Sequence, residues 1–283
     1  MNHVEARPLG ELDSICRIIR KLIITQTTKA GSGHPTSSLS GVELLVGLYF
    51  GGFLKHDPNK PHDPERDRFI LSKGHAAPLL YSVLAQAGYF PVDQLNTLRK
   101  IGSPLEGHPN MRKLAGVEAS TGSLGQGLSL GIGHALATRL DGIPAHVFVM
   151  IGDGEMGEGQ VWEAAMSAVK FNLDRLVAII DINGYQQTGA TSEVLDLKPL
   201  APRWQGFGWN VIEIDGHNMK QVLAGYERAT SMHGRPSVIL AHTIKGYPIQ
   251  NVLGDDPNHH GKPLTEEQAK RAIREIETQT VVL

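Results

Sequence analysis

The residues best placed to do chemistry gather at one glycine-rich turn, Gly152-Asp153-Gly154, which continues as Glu155, Met156, Gly157, Glu158 and Gly159. Glycines let the main chain approach a phosphate closely, and a helix starting just beyond offers unpaired backbone N–H groups and a favourable dipole. Gly152, Gly154 and Gly157 also fit the dinucleotide pattern G-x-G-x-x-G, with Asp181 beyond the next strand-like run as a candidate ribose acid. On motif alone, a nucleotide-linked dehydrogenase is permitted. Asp153 points elsewhere, because a carboxylate inside the turn repels a bare diphosphate unless a cation stands between them. Asn183 follows 30 positions later, just past the apolar run Leu176 to Ile180, where it could reach the same ion. One carboxylate oxygen, one amide oxygen, a backbone carbonyl, diphosphate oxygens and a water make the octahedral shell that Mg²⁺ prefers, and Ca²⁺ also fits. The plainer alternative makes Asp153 a turn or cap residue and Asn183 a turn former with Gly184.

Histidine is the other resource, with 13 in the chain. Its charge changes near neutral pH, so it can hydrogen-bond hydroxyls or move protons. His34, His75 and His108 each sit beside glycine or proline, which as spacing alone is equally the pattern of solvated loop histidines. His146, His217 and His233 read as packing or surface groups. The one cysteine, Cys16, cannot form an internal disulfide and falls in the apolar pattern of a helix, as a core thiol would.

These groups need a scaffold, and the chain alternates helical and strand-like segments separated by glycine-rich turns. Helical spacing runs from Leu12 to Lys29 and stops at Ala30-Gly31-Ser32-Gly33, after which a loop carries His34-Pro35. Buried strands are predicted at Arg68 to Leu71, Ala145 to Ile151, Leu176 to Ile180, Asn210 to Ile214 and Ser237 to Ala241. Helices are predicted at Ser40 to Phe50, Ala76 to Ala87, Gln126 to Leu140, Val161 to Phe171 and Met219 to Met232. Strands joined by helical crossovers imply a doubly wound, mostly parallel α/β sheet whose ligands bind outside the carboxyl ends of the strands. At 283 residues the chain suits one large α/β domain over positions 1–283, with 246–283 as a loop plus a carboxyl-terminal helix. A net charge of −2 gives no basic field for nucleic acid or an anionic membrane. No apolar run of about 18 residues is present, and Glu5, Glu11 and Asp13 do not suit a signal peptide, so a cytoplasmic setting is expected.

The motifs taken together resemble the transketolase family. The resemblance spans nearly the whole chain and includes Lys29-Ala30-Gly31-Ser32-Gly33-His34-Pro35, Leu71-Ser72-Lys73-Gly74-His75, Gly107-His108-Pro109, Thr121-Gly122-Ser123-Leu124-Gly125-Gln126-Gly127, Gly152-Asp153-Gly154 and Asn183-Gly184, in the family's order. It implies the thiamine diphosphate-binding fold, in its diphosphate-binding domain. It further implies that Asp153, Asn183 and the carbonyl of Tyr185 hold the metal. His75, Gly154 and His260 would then contact the diphosphate, with Gly152, Ser123 and Glu155 also at the cofactor, and Gly122 and Leu124 on the aminopyrimidine side. His259 beside His260 is the competing match, and the following Gly261 favours His260. His34 and His108 resemble the family's sugar-facing histidines, so His34, His108 and His75 are the catalytic candidates. Glu158 resembles an acid at the family's dimer interface and is equally explained as a helix-start glutamate.

The implied chemistry is transfer of a two-carbon ketol unit from a ketose phosphate to an aldose phosphate. In the family, the glutamate that protonates the aminopyrimidine lies in a second domain, so the resemblance implies a partner chain of about 300 residues, a typical domain scale, in an α2β2 assembly. Related alternatives are a 1-deoxyxylulose-5-phosphate synthase-like half, a 2-oxo acid decarboxylating half, and a non-catalytic cofactor-binding subunit. Two departures leave the sugar open: His242 stands where the family commonly has lysine, and Tyr185-Gln186-Gln187-Thr188-Gly189 replaces a more apolar run. The segment Pro248 to His259 reads as a loop over the cofactor, and the helix from Thr265 to Glu277 as a solvated face or a dock for the partner.

Overall fold

The expected strands pair because their apolar residues alternate between two buried faces. In the computed structural model, which describes residues 6–254, 256 and 258–278, the strands are β1 (Arg68–Leu71), β2 (Val147–Gly152), β3 (Leu176–Ile182), the two-residue β4 (Tyr185–Gln186) and β5 (Gly189–Ala190), β6 (Asn210–Asp215) and β7 (Ser237–His242). Five of them form one parallel sheet in the order β1-β2-β3-β7-β6, and β4 and β5 make a separate antiparallel pair. Phe148, Met150, Val177 and Ile179 enter one core, while Val147, Val149, Ile151, Ala178 and Ile180 enter the other. A parallel sheet buried on both faces needs helices on both sides.

Those helices are α1 (Leu9–Ala30), α2 (Pro35–Leu39), α3 (Val42–Phe50), α4 (Ala77–Gln86), α5 (Gly127–Leu140), α6 (Gly159–Lys170), α7 (Thr191–Val194), α8 (Leu200–Gly206), α9 (Met219–Thr230), α10 (Gln250–Leu253) and α11 (Glu266–Thr278). Residues of α1, α3, α4, α9 and α11 build the first core, and those of α5, α6 and α8 the second. α1 buries Leu12, Ile15, Ile19 and Ile23 at helical spacing and ends where Gly31, at φ 58°, turns its N–H back to Thr27 and Thr28. Among the described residues no helix is long and apolar enough to cross a membrane.

Three local expectations are corrected. The loop expected at His34-Pro35 becomes α2 at once, because Pro35 is suited to the first helical position and Pro35, Thr36, Ser37, Ser38 and Leu39 are all buried. The segment expected as a loop over 248–259 contains α10, with Val252 and Leu253 in the core. α11 is not merely solvated, since Ala269, Ala272 and Ile276 pack into the first core. Asp255 and Pro257 of the former segment, and positions 1–5 (including Glu5) and 279–283 of the expected domain, lie outside the described residues.

Candidate active site

The sheet register decides which loops meet. Gly152 pairs with Asp181 across β2 and β3, and Ile182 pairs with His242 across β3 and β7, so the loops after these strands leave side by side. Their floor is Asp181, fully buried and ion-paired with the buried Lys73. Ser40 Oγ donates to the same carboxylate at 2.6 Å, Thr243 Oγ1 donates to its other oxygen, and Asn183 Nδ2 lies at 3.4 Å. Burial raises the Asp181 carboxyl, but Lys73 and these donors outweigh it and hold it below the usual range. Asp181 therefore faces the scaffold and has no free oxygen for a ribose, which removes the support that motif spacing lent to a dehydrogenase.

Asp153 and Asn183 stand together above that floor. Asp153 Oδ2 accepts from Gly184 N at 2.8 Å and Oδ1 from Gly154 N at 3.0 Å, while Asn183 Oδ1 accepts from Tyr185 N at 3.1 Å. Burial, and then the neighbouring Asp181 charge, push the Asp153 carboxyl up to about 6. A carboxylate so placed gains from a cation. The donor set is oxygen-only and suits a hard ion. Among the described residues no cluster of three or more His, Cys, Asp or Glu could hold a metal, so an ion here needs further oxygens, such as those of a diphosphate. Gly154 lets the segment after Asn183 pack closely over the turn: a Cβ on it would meet Gln186 Cβ at 2.5 Å.

Three predicted histidines converge beside this pair. Ring centroids of His34 and His75 are 5.1 Å apart, His34 and His260 4.9 Å, and His75 and His260 5.4 Å. His260, not His259, joins the cluster; His259 takes φ 38° and its carbonyl accepts from Thr36 Oγ1 at 3.2 Å. Burial first, then His260, Arg99, His108 and Lys245, lower His34 to about 4, and burial with Lys245 and Lys73 lowers His260 to about 4. His75 is held well below its ordinary value by burial and Lys73, and His108 is lowered by burial and Arg99. All four are neutral at pH 7. Among the described residues, Nδ1 of His34 is buried without a hydrogen-bond partner.

The Gly122-Ser123-Leu124 loop lies against the strand-end segment that carries His75. Thr121 Oγ1 donates to Leu71 O at 2.7 Å, and a Cβ on Gly74 would meet Gly122 N at 2.7 Å. A Cβ on Gly122 would meet His108 Cδ2 at 3.0 Å, which brings the exposed His108 to the same loop. Glu155, expected at the cofactor, has its side chain engaged within the scaffold. Its buried carboxylate accepts from Ser72 Oγ, from Gly125 N at 2.9 Å and from Gly152 N at 3.1 Å, tying two loops together beneath the site. Glu158 is the N-cap residue of α6, at the helix start where a carboxylate is favourably placed, and it makes no side-chain cap bond. His242 pairs with Glu213 at 3.1 Å, and both line a cavity of about 550 Å³ that reaches Asp153 and Asn183.

Sequence reasoning missed Lys245. It is buried, and its Nζ donates to Asn258 Oδ1 at 2.6 Å and to His260 Nδ1 at 3.0 Å, while lying 5.9 Å from the Tyr185 ring centroid. A lysine only donates, so His260 carries its proton on Nε2. Burial and then Lys73 lower the ammonium to about 8, so it stays charged at pH 7 and links the histidine cluster to the Asp153 end. A lysine three residues past a strand gave no motif of its own; only the fold shows its burial.

A doubly wound sheet carrying an oxygen-donor pair and neutral histidines at its carboxyl edge defines a cofactor-binding α/β domain. Residues 12–278 match the family model described as transketolase, thiamine diphosphate binding domain. The chain is 46% identical over 267 residues to the 6-deoxy-6-sulfo-D-fructose transketolase subunit of Clostridium sp., covering 94% of this chain and 96% of that one. It is 39% identical over 257 residues to the apulose-4-phosphate transketolase subunit of Phocaeicola vulgatus, covering 91% and 90% respectively. Against human transketolase it is 40% identical over 276 residues, which span 97% of this chain and 43% of that protein. The crystal structure of transketolase from Campylobacter jejuni superposes with a TM-score of 0.87 at 30% identity, covering 96% of this chain and 43% of that one. The chain belongs to the transketolase family, as its thiamine diphosphate-binding domain.

Proposed function

We propose that this chain is the amino-terminal subunit of a two-chain transketolase, transferring a two-carbon ketol unit from a ketose phosphate to an aldose phosphate. The observation that carries the reading is the convergence of Asp153 and Asn183 with His34, His75, His260 and Lys245 at one edge of the sheet. In this reading Asp153, Asn183 and the Tyr185 carbonyl hold Mg²⁺, or Ca²⁺ in its place, against the diphosphate. Gly152, Gly154, His75 and His260 face the diphosphate, Lys245 adds positive charge, and Gly122, Ser123 and Leu124 line the aminopyrimidine side. Bound thiamine diphosphate supplies the electron sink for breaking the carbon–carbon bond. His34 and His108, neutral at pH 7, hydrogen-bond the sugar hydroxyls and hold or accept the proton that moves as alkoxide and carbonyl interconvert.

A partner chain of about 300 residues would supply the acid at the aminopyrimidine, in an α2β2 assembly, with residues 1–283 forming the single diphosphate-side domain. The two relatives named as transketolase subunits, each matched over at least nine-tenths of its length, support a split enzyme. The buried lone Cys16 is consistent with a reducing, cytoplasmic setting. The test combines the chain with its co-purified partner, thiamine diphosphate and Mg²⁺, and follows ketol transfer between sugar phosphates, with 6-deoxy-6-sulfo-D-fructose as an additional donor. Transfer that requires both chains supports the proposal. Carbon dioxide release from a 2-oxo acid without ketol transfer overturns it.

A further inference from the structure

The turn that carries Lys245 is fastened residue by residue. Thr243 N donates to Ile182 O at 3.0 Å, Thr243 Oγ1 donates to Asp181, and Gly246 N donates to Thr36 O at 3.1 Å. Between them Ile244 N donates to the imidazole Nε2 of His217 at 2.9 Å, although the Ile244 side chain is half exposed. A backbone N–H can only give its proton to an unprotonated ring nitrogen, so His217 carries its hydrogen on Nδ1. That nitrogen lies 3.2 Å from Glu43 Oε2, and the other oxygen of Glu43 is ion-paired with Arg20. Burial pushes the Glu43 carboxyl up, but Arg20 and the His217 bond outweigh it and keep the group ionised. The Tyr247 ring stacks on His217 with centroids 3.9 Å apart, and the Arg20 guanidinium lies 5.2 Å from the Tyr247 centroid.

We infer that His217 is a positioning residue for cofactor binding: Arg20 and Glu43 fix its tautomer, its Nε2 holds the Ile244 N–H, and the turn thereby places the Lys245 ammonium at His260. The inference rests on the proposed role of Lys245. It revises the reading of His217 as a packing histidine, because both ring nitrogens are engaged and one of them holds a site loop. Outer groups that orient a binding residue are worth about 10- to 100-fold in affinity in metal sites, which sets the scale expected here.

The test uses the full chain assembled with its partner. It compares wild type, His217→Asn, His217→Gln and Lys245→Met by calorimetric titration of thiamine diphosphate at saturating Mg²⁺, with amide hydrogen exchange across 243–247 and thermal unfolding alongside. Asparagine keeps a donor near Nδ1 for Glu43 and loses the acceptor for Ile244; glutamine reaches the Nε2 position and keeps that acceptor. The expected result is about tenfold weaker binding and faster Ile244 exchange in His217→Asn, with recovery of both in His217→Gln at similar melting temperatures. Equal affinities for the two His217 variants, or unprotected Ile244 in wild type, overturn the inference. Should Lys245→Met bind as wild type does, the role of Lys245 itself fails, and the exchange data report separately on whether His217 holds the turn.

Discussion

At the level of single residues, the site keeps its histidines neutral while Asp153 and Lys245 are charged against their burial. His34 and His260, each lowered to about 4, take up protons in the unfolded chain near pH 6.5 but in the folded chain only near pH 4. The unfolded state therefore binds more protons across that window, and stability falls as pH drops from 6.5 towards 4. Melting curves of the cofactor-free chain should show this slope, and the double variant His34→Gln, His260→Gln should flatten it; identical slopes would count against the burial argument. Asp153 is the opposite case, a carboxyl raised to about 6. Its charge at pH 7 is a cost to the fold, so Asp153→Ala is expected to melt no lower than wild type while losing Mg²⁺-dependent cofactor binding in calorimetry. Retained binding would remove Asp153 from the metal site. His34→Ala should separate turnover from affinity: kcat falling about 100-fold or more with the cofactor Kd little changed, as expected for a group that acts on the sugar's protons. Equal losses in both would move His34 to the cofactor.

At the level of elements, the strands and long helices were readable because their burial is periodic, as in the alternation of Val147 to Ile151 between the two cores and the helical spacing of α1. Asp153 and Asn183 were readable as a pair because they follow what proved to be adjacent strands. What escaped depends on partners distant in sequence. α2 is a short, largely polar segment that is helical and buried through its surroundings, and α10 interrupts a segment whose composition reads as loop. The motif places Glu155 at the glycine turn, but its hydrogen bonds joining positions 125 and 152 have no local signal. The meeting of His34 with His260 has no local signal at all, and only family resemblance proposed it. Glu155→Gln tests the clasp, since an amide replaces one acceptor oxygen with a donor facing donors. A loss of about 1–3 kcal/mol in unfolding free energy is expected, together with faster exchange at Gly125. An unchanged melting curve would show that the clasp is dispensable.

At the level of the whole molecule, the chain corresponds to the thiamine diphosphate-binding domain of larger transketolases. The matched region spans 43% of human transketolase, so the isolated subunit should bind cofactor weakly and turn over no ketose, with the partner restoring both. Chelation by EDTA should release thiamine diphosphate from the assembly and Mg²⁺ should restore it, which equilibrium dialysis can follow; cofactor retained in chelator would mean that the metal is not what bridges it to Asp153. The same architecture bears on how the protein is made. Asp181 bonds Ser40 and Lys73 on one side of the chain and Thr243 on the other, and His34 meets His260. Translation must therefore have passed residue 260 before the last of these contacts can close. Contacts so distant along the chain also slow folding. The histidine cluster that faces the cofactor in the proposed reading therefore cannot form until residues 34 and 260 are both available to meet.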